Sequence, residues 1–232
     1  MTSRLIVALD TADPTQAARW AAQAGPHCGL VKLGLEFFAA NGPAGVRALK
    51  DWPIFLDLKL HDIPNTVAGA VRALLPLRPR MLTLHAAGGG AMIAAARQAC
   101  AEAADRPLLL AVTVLTSLDA PALTAMGIHG GVEEQALRLA RMAMEQGADG
   151  VVCSPLEVHA LRAALGDPLG DRALLVVPGI RPRGADAADQ ARVMTPEEAV
   201  AAGADFIVVG RPVTGAADPG AAARAIAEAI AA

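Results

Sequence analysis

The chain has 232 residues, a net charge of −3 and a composition that is 54% hydrophobic but only 3% aromatic. This length suits one large domain with a substantial core, and no linker or low-complexity stretch divides residues 1–232, so we expect a single domain. The mild charge and the few aromatic residues argue against nucleic acid binding. No apolar stretch is long enough to cross a bilayer, so we expect no membrane association.

The cysteines and the start of the chain indicate a compartment. Cys28, Cys100 and Cys153 are odd in number and widely spaced, which predicts free thiols in a reducing environment and no disulfide or metal framework. A strand-like segment begins at Leu5 and leaves no room for a signal peptide. We therefore expect a cytoplasmic protein.

Short apolar runs alternate with longer helical patterns from end to end. The predicted strands are Leu5–Leu9, Leu30–Leu33, Ile54–Leu58, Met81–Leu84, Leu108–Leu115, Gly150–Cys153, Leu174–Val177 and Phe206–Val209. The predicted helices are Pro14–Ala24, Leu35–Lys50, Asn65–Leu75, Ala91–Ala104, Val132–Gln146, Leu156–Leu165, Pro196–Ala202 and Ala221–Ala231. Eight strand–helix units predict a (β/α)8 TIM barrel. An open doubly wound sheet is the alternative, but no G-x-G-x-x-G follows the first strand.

Polar residues follow the predicted strands, where a barrel enzyme builds its active site. They include Asp10, Lys32, Asp57, Lys59, His85, Thr116, Ser154, Arg181, Gly210 and Arg211. A set distributed around the barrel indicates a site far more strongly than one charged residue does.

The segment 57–66 is the most informative stretch. Asp57 and Lys59 lie two residues apart on a strand and so share one face, while the neighbouring leucines take the other. Charges at the end of a buried strand are costly unless they are paired, and such places are often functional sites. The structural alternative is an ordinary ion pair, with Asp62 as a helix-start acid and Pro64 in the first helical turn.

The string D-x-K-x-x-D-I-P-N-T over residues 57–66 resembles the signature of the orotidine 5′-monophosphate decarboxylases without a mismatch. The resemblance extends from Asp10 to Arg211. It implies an alternating charge row of Lys32, Asp57, Lys59 and Asp62. It also implies a homodimer with shared active sites, because in this family Asp62 serves the partner subunit's site.

The resemblance implies that the protein converts orotidine 5′-monophosphate to uridine 5′-monophosphate in pyrimidine biosynthesis. Loss of CO₂ leaves electrons at C6 with no conjugated sink, so fixed charge must stabilise them. Lys59 is placed to do this and then to protonate C6 as the general acid. Asp57 would face the departing carboxylate, and Asp57 and Asp62 would keep Lys59 charged. We expect no cofactor and no metal.

Binding residues follow from the last two strand–helix loops and from the family pattern. Gly210 allows close backbone approach, and Arg211, with Arg181, offers planar donors suited to phosphate oxygens. Residues 183–193 predict a mobile lid, within which Gln190 matches a glutamine that spans phosphate and base in the family. The remaining predicted substrate contacts are Asp10 and Thr66 for the ribose, Ser154 for the pyrimidine amide edge, and Ile63 and Thr116.

Two alternatives remain open. Sugar-phosphate decarboxylases and aldolase-like synthases of the same broader group also carry Asp-x-Lys-x-x-Asp, but they use Mg²⁺, lack Ile-Pro-Asn-Thr and carry an acid near the position of Lys32. A lysine there disfavours a divalent cation. A non-catalytic phosphate-binding barrel would keep Gly210 and Arg211 but would show a decayed charge row.

Overall fold

Eight parallel strands close into a barrel in sequence order, β1 to β8, in this computed structural model, which describes residues 3–165, 173–183 and 194–231. The strands are β1 (Leu5–Ala8), β2 (Leu30–Gly34), β3 (Ile54–Leu60), β4 (Met81–His85), β5 (Leu108–Val112), β6 (Gly150–Val152), β7 (Leu174–Val177) and β8 (Phe206–Val209). Pairing of β1 with β8 completes the ring. The predicted TIM barrel is confirmed.

Helices follow the strands and cover the outside of the barrel. They are α1 (Pro14–Ala24), α2 (Leu35–Ala48), α3 (Pro64–Leu74), α4 (Gly90–Cys100), α5 (Ala120–Ala125), α6 (Val132–Glu145), α7 (Val158–Leu165), α8 (Pro196–Ala201), α9 (Arg211–Thr214) and α10 (Pro219–Ala229). In the described part of the chain, no helix is long and apolar enough to cross a membrane.

Several predicted boundaries are wrong, and two helices were not predicted. Strand β5 ends at Val112 rather than Leu115, because β6 offers only three residues for pairing. Strand β3 continues to Leu60, two residues beyond the prediction. The helix α9 has only four residues, too few for a helical period to be visible in the sequence. The helix α5 has six residues, as α8 does, but it lacks the Thr-x-x-Glu capping pattern that marks the start of α8.

Two apolar layers follow from the alternation of side chains along the strands. In β1, Leu5 and Val7 pack outward with the helices, whereas Ile6 and Ala8 belong to the cluster inside the barrel. The interior cluster also contains Leu30, Phe55, Met81, Leu110, Val176 and Val208. This packed apolar interior lies directly beneath the polar residues at the carboxyl ends of the strands.

A repeated Gly-Ala-Asp sequence at residues 147–149 and 203–205 ties neighbouring strands together at the opposite, amino end of the barrel. Each aspartate accepts a hydrogen bond from the backbone N–H of the second residue of the preceding strand. Asp149 accepts from Leu109 at 2.8 Å, and Asp205 accepts from Leu175 at 2.7 Å. Each also pairs with an arginine, Arg106 in the first copy and Arg162 in the second. These half-buried carboxylates therefore serve the fold.

Candidate active site

A cavity of about 450 Å³ opens at the carboxyl ends of the strands. Its lining residues are Ala8, Asp10, Lys32, Phe55, Asp57, Lys59, Val112, Val114, Leu115, Thr116, Val152, Cys153, Pro178, Gly179, Arg181, Val208, Gly210, Arg211 and Thr214. Seven of the eight strands, or the loops directly after them, contribute. The cavity lies at the end of the barrel where the sequence predicted the site.

Lys32 and Asp57 enter the cavity because of strand alternation. Leu30 on β2 and Phe55 on β3 point into the barrel, so the residues two positions further, Lys32 and Asp57, point the same way one layer higher. The register places Lys32 opposite Phe55 and Gly34 opposite Asp57, so the two charged side chains come from adjacent strands. Their Nζ and Oδ2 atoms are 3.6 Å apart.

Four charges of alternating sign form a continuous row along β1, β2 and β3. Lys32 Nζ lies 2.9 Å from Asp10 Oδ1, and Lys59 Nζ lies 2.8 Å from each Asp57 oxygen. The row is most buried at its centre: the side chains of Lys32 and Asp57 are 10% and 13% exposed, compared with 38% for Lys59 and 58% for Asp10. Within one chain the row therefore runs from Asp10 to Lys59. The sequence analysis did not predict that Asp10 belongs to it.

Each buried charge in the row is held in its ionised form by its neighbours. Burial would raise the pKa of Asp57, but the ammonium groups of Lys32 and Lys59, together with hydrogen bonds from Lys59 and Thr83, lower it below its usual value. Burial would lower the pKa of Lys32, but Asp57 and Asp10 raise it instead. The buried centre of the row is therefore charged at neutral pH.

Lys59 reaches Asp57 through a bulge rather than through regular strand geometry. The pairing of β3 with β4 shifts between Leu56 and Leu60, so that three residues of β3 lie opposite Thr83 alone. Lys59 itself has a φ of 48°, which is uncommon for a residue with a side chain. The predicted faces are confirmed, because Asp57 and Lys59 both line the cavity while Leu56, Leu58 and Leu60 belong to or pack against the outer cluster. The bulge itself was not predicted.

Lysine is rare in this chain outside the site. Only Lys32, Lys50 and Lys59 occur among the 20 lysines and arginines, and two of these three line the cavity. Every other cation is an arginine, which stays protonated at all accessible pH values. The site thus holds two of the three compact ammonium groups able to take part in proton transfer.

Cationic groups also line the far side of the cavity. Arg181 follows β7, which lies four strands from β3 in the ring, and Arg211 directly follows β8 and Gly210. Arg181 and Arg211 thus bring two guanidinium groups to the cavity in addition to Lys32 and Lys59. Guanidinium groups offer planar sets of donors that suit the oxygens of a phosphomonoester.

Comparisons with known proteins agree on one family. A family model described as "Orotidine 5'-phosphate decarboxylase / HUMPS family" matches residues 3–226. The orotidine 5'-phosphate decarboxylase of Gluconobacter oxydans (strain 621H) is 53% identical over 99% of this chain and 98% of its own length. That of Anaeromyxobacter sp. (strain K) is 56% identical over 97% and 96%. The crystal structure of orotidine 5'-phosphate decarboxylase from Lactobacillus acidophilus matches with a TM-score of 0.87 at 41% identity, covering 99% of this chain and 100% of that one.

The chain belongs to the orotidine 5'-phosphate decarboxylase / HUMPS family. The resemblance inferred from residues 57–66 is confirmed. The description of this family covers more than one activity, so the side chains in the cavity must distinguish among its members.

Three predicted family residues lie outside the cavity of their own chain. Asp62, Ile63 and Thr66 are exposed at the start of α3 and do not line it. Among the described residues, Asp62 Oδ1 accepts one hydrogen bond, from the backbone N–H of Ile63 at 2.6 Å. The Ile63 side chain is one of the few large apolar groups that are exposed.

Two further predicted binding residues differ in their surroundings, and a third cannot be placed. Thr116 lines the cavity, as predicted for a contact residue. Ser154 is fully buried behind the lining residue Cys153, and its hydroxyl accepts a hydrogen bond from the backbone N–H of Leu156, forming a capping box with Glu157. Gln190, with most of the predicted lid 183–193, lies outside the described residues.

Sequence reasoning missed two residues that touch the charge row. Thr83 bonds to both Asp57 and Lys59 from the neighbouring strand. A Cβ atom at Gly34 would lie 3.1 Å from Asp10 Oδ1 and 3.2 Å from Lys32 Nζ, so any larger residue would press on that ion pair. The local sequence carries no signal for either role, since both depend on contacts between strands.

Proposed function

We propose that this protein converts orotidine 5′-monophosphate to uridine 5′-monophosphate. The relatives described above are named orotidine 5'-phosphate decarboxylase, which supports this reaction. The observation that carries the proposal is the charge row Asp10–Lys32–Asp57–Lys59, with its buried centre, and the two guanidinium groups on the other side of the same cavity. The bond from C6 to the carboxylate carbon breaks, CO₂ departs and the electron pair remains at C6.

Lys59 is proposed to act on that electron pair. Its ammonium, fixed 2.8 Å from both oxygens of Asp57, supplies positive charge where negative charge develops. A preformed cation in a site walled by Val112, Val114 and Val152 is more effective than one in water, because little reorganisation is needed. Lys59 then gives a proton to C6 and completes the product. Asp57 orients the ammonium and keeps it charged.

The phosphate group is proposed to anchor the substrate on the opposite side of the barrel. Arg181 and Arg211 supply charged donors there, and Gly210 allows close approach of the backbone. Binding energy from this remote group can hold C6 against Lys59, which is how non-reacting parts of a substrate contribute to rate. Asp10 and Thr116, also in the lining, are proposed ribose and substrate contacts, with Ser154 and Gln190 as proposed contacts to the base.

A Mg²⁺-dependent sugar-phosphate activity is the second candidate, because the family description also includes HUMPS. The position that carries an acid in that group is Lys32, whose ammonium already pairs with Asp10 and Asp57. Within the described residues, no group of three or more His, Cys, Asp or Glu side chains could hold a metal ion. Activity without metal or cofactor remains a prediction. The intact charge row argues against a non-catalytic phosphate-binding barrel.

The deciding experiment incubates purified protein with orotidine 5′-monophosphate in EDTA and follows the ultraviolet absorbance that distinguishes substrate from product. We expect full activity, with uridine 5′-monophosphate and CO₂ released in equal amounts. Matched incubations contain Mg²⁺ instead of EDTA. Activity that disappears in EDTA and returns with Mg²⁺ would contradict metal-free catalysis. No turnover in either condition would refute the proposed function and leave the sugar-phosphate enzyme and the binding protein as candidates.

A homodimer with shared sites is also proposed. Its support is that Asp62 and Thr66, which belong to the family motif, are exposed beside the apolar Ile63 and do not line the cavity of their own chain. In a symmetric dimer an exposed patch can complete the partner's site, and the same contact is made twice. Asp62 would then extend the partner's row beyond Lys59.

A cytoplasmic location is proposed from the thiols. Cys28, Cys100 and Cys153 are all free, and burial raises the pKa of Cys28 and Cys100 to about 11. Protonated, buried thiols of this kind are stable in a reducing compartment.

A further inference from the structure

Thr83 lies on β4 directly opposite the bulge of β3, and its side chain is fully buried. Its hydroxyl accepts a hydrogen bond from the Lys59 backbone N–H at 2.9 Å and donates one to Asp57 Oδ1 at 3.0 Å. A hydroxyl can do both at once because it has one proton and two lone pairs. Thr83 is not among the residues that line the cavity, so it cannot touch a ligand there.

We propose that Thr83 is a positioning residue for the reaction: its hydroxyl joins the Lys59 backbone to the Asp57 carboxylate and so aims the Lys59 ammonium into the cavity. The inference rests on the proposed function of Lys59. It adds a group that acts through Lys59 and Asp57 rather than on the substrate.

The bulge explains why such a bond is needed. In a regular parallel ladder the N–H of a residue bonds to a carbonyl of the next strand, but an extra residue in a bulge is left unpaired. Lys59 is in that position with a φ of 48°, a conformation that costs free energy unless its surroundings hold it. The Thr83 hydroxyl gives the N–H an acceptor and thereby holds this conformation.

The second bond fixes the partner of the ammonium. Asp57 Oδ1 receives both Lys59 Nζ and the Thr83 hydroxyl, while Oδ2 receives Lys59 Nζ and faces Lys32 at 3.6 Å. With the hydroxyl removed, the carboxylate could rotate, and the ammonium that depends on it would move as well. Substrate anchoring on the far side of the cavity would remain.

The test compares Thr83→Val, which keeps the shape and removes the hydroxyl, with Thr83→Ser, which restores it. Thr113→Val is the matched control, because Thr113 is equally buried and donates its hydroxyl to the Val152 carbonyl, away from the charge row. Thr83→Ala and Thr83→Ser form a second pair that differs only in the hydroxyl, should the valine variant fold poorly. Each variant is assayed for kcat, KM and Tm.

We expect Thr83→Val to lower kcat by roughly 10- to 100-fold, the rate equivalent of one hydrogen bond to a charged group. KM should change by less than about threefold, since the hydroxyl acts on the reacting centre and not on binding. Thr83→Ser should recover most of the rate. The Thr113→Val protein should match the wild type in both constants.

Lysine labelled with ¹³C at Cε gives a readout that does not need turnover, because the chain has only three lysines. In Thr83→Val the Lys59 signal should shift while that of the distant Lys50 stays in place. Wild-type protein without decarboxylase activity would refute the proposed function, yet the lysine spectra would still test the contact. Equal kcat in Thr83→Val and Thr113→Val, equal losses in the serine and valine variants, or an unmoved Lys59 signal would each overturn the positioning role.

Discussion

Removal of the Lys59 ammonium separates catalysis from stability. In Lys59→Ala, Asp57 loses a donor 2.8 Å from both of its oxygens but keeps Lys32 and the Thr83 hydroxyl. The backbone N–H at position 59 keeps its bond to Thr83, so the bulge is retained. Since the Lys59 side chain is 38% exposed, solvent screens the pair, and we expect the free energy of unfolding to fall by only about 1 kcal/mol. This corresponds to about 2–4 °C in Tm for a chain of this length.

Turnover should fall far more than stability. General acid catalysis contributes roughly 10²- to 10⁴-fold, and one preorganised electrostatic contact roughly 10²- to 10³-fold. If Lys59 supplies both, kcat should drop by at least about 10⁴-fold, or about 5.4 kcal/mol of barrier. Affinity for uridine 5′-monophosphate should change by less than about tenfold, because the proposed phosphate contacts, Arg181 and Arg211, are retained.

The assay follows substrate absorbance with Lys50→Ala as the control. Lys50 is exposed after α2 and does not line the cavity, so its loss should leave kcat, KM and Tm unchanged. Lys59→Arg keeps a cation that does not release its proton near neutral pH, and it should stay inactive. A correctly folded Lys59→Ala protein that retains turnover within about 100-fold of the wild type would refute the assignment of charge stabiliser and proton donor to one group.

Four further predictions test other parts of the site. Arg211→Ala should weaken binding of uridine 5′-monophosphate by roughly 10- to 100-fold but leave uridine binding nearly unchanged, because a charge-assisted hydrogen bond is lost; calorimetry that gives equal losses for both would place Arg211 away from the phosphate. Gly34→Ala should lower kcat, because its Cβ would press on the Asp10–Lys32 pair at 3.1 and 3.2 Å, while Gly69→Ala on the open face of α3 should leave it unchanged; equal activity of the two variants would show that the ion pair has room to move. Mixed Lys59→Ala and Asp62→Ala subunits, each inactive alone, should recover about a quarter of the wild-type sites on random exchange, because one site of each mixed dimer receives both intact residues; mixed dimers confirmed by mass tags but lacking activity would mean that Asp62 serves its own chain. The pKa of Asp57 is lower in the folded protein than the ordinary value of 3.8, so its charge stabilises the fold above pH 3.8, and this stabilisation is lost as the pH falls from 3.8 towards the folded pKa. Thermal unfolding across this range should show a smaller loss of stability for Asp57→Asn than for the wild type, and parallel plots of Tm against pH for the two proteins would contradict the lowered pKa.

The sequence by itself determined the order of the elements and predicted the charged groups of the candidate site. Alternating apolar runs and helical patterns predicted all eight strands, since both periods are local properties of the chain. The string from Asp57 to Thr66 predicted the family and placed Asp57 and Lys59 at a strand end. These inferences hold because the residues that carry them are neighbours along the chain.

Boundaries and short elements depended on more than local pattern. The ends of β3 and β5 are set by how many residues the neighbouring strands offer for pairing. Ser154 shows a related limit for a side chain. The pattern Ser154-x-x-Glu157 is a local capping signal, but only the fold shows that the hydroxyl is fully buried in that cap and that Ser154 does not line the cavity.

The tertiary structure alone decided how the charges are held. Asp10 joins Lys32 across 22 residues of sequence, and Thr83 joins Asp57 across 26. Such contacts follow from strand register and from the bulge at Lys59, which depend on closing the whole barrel. A short polar residue such as Thr83 has no distinctive local pattern in the sequence. Its hydrogen-bond partners are fixed only when β4 packs beside β3, because a buried hydrogen-bonding group then needs a partner within the protein.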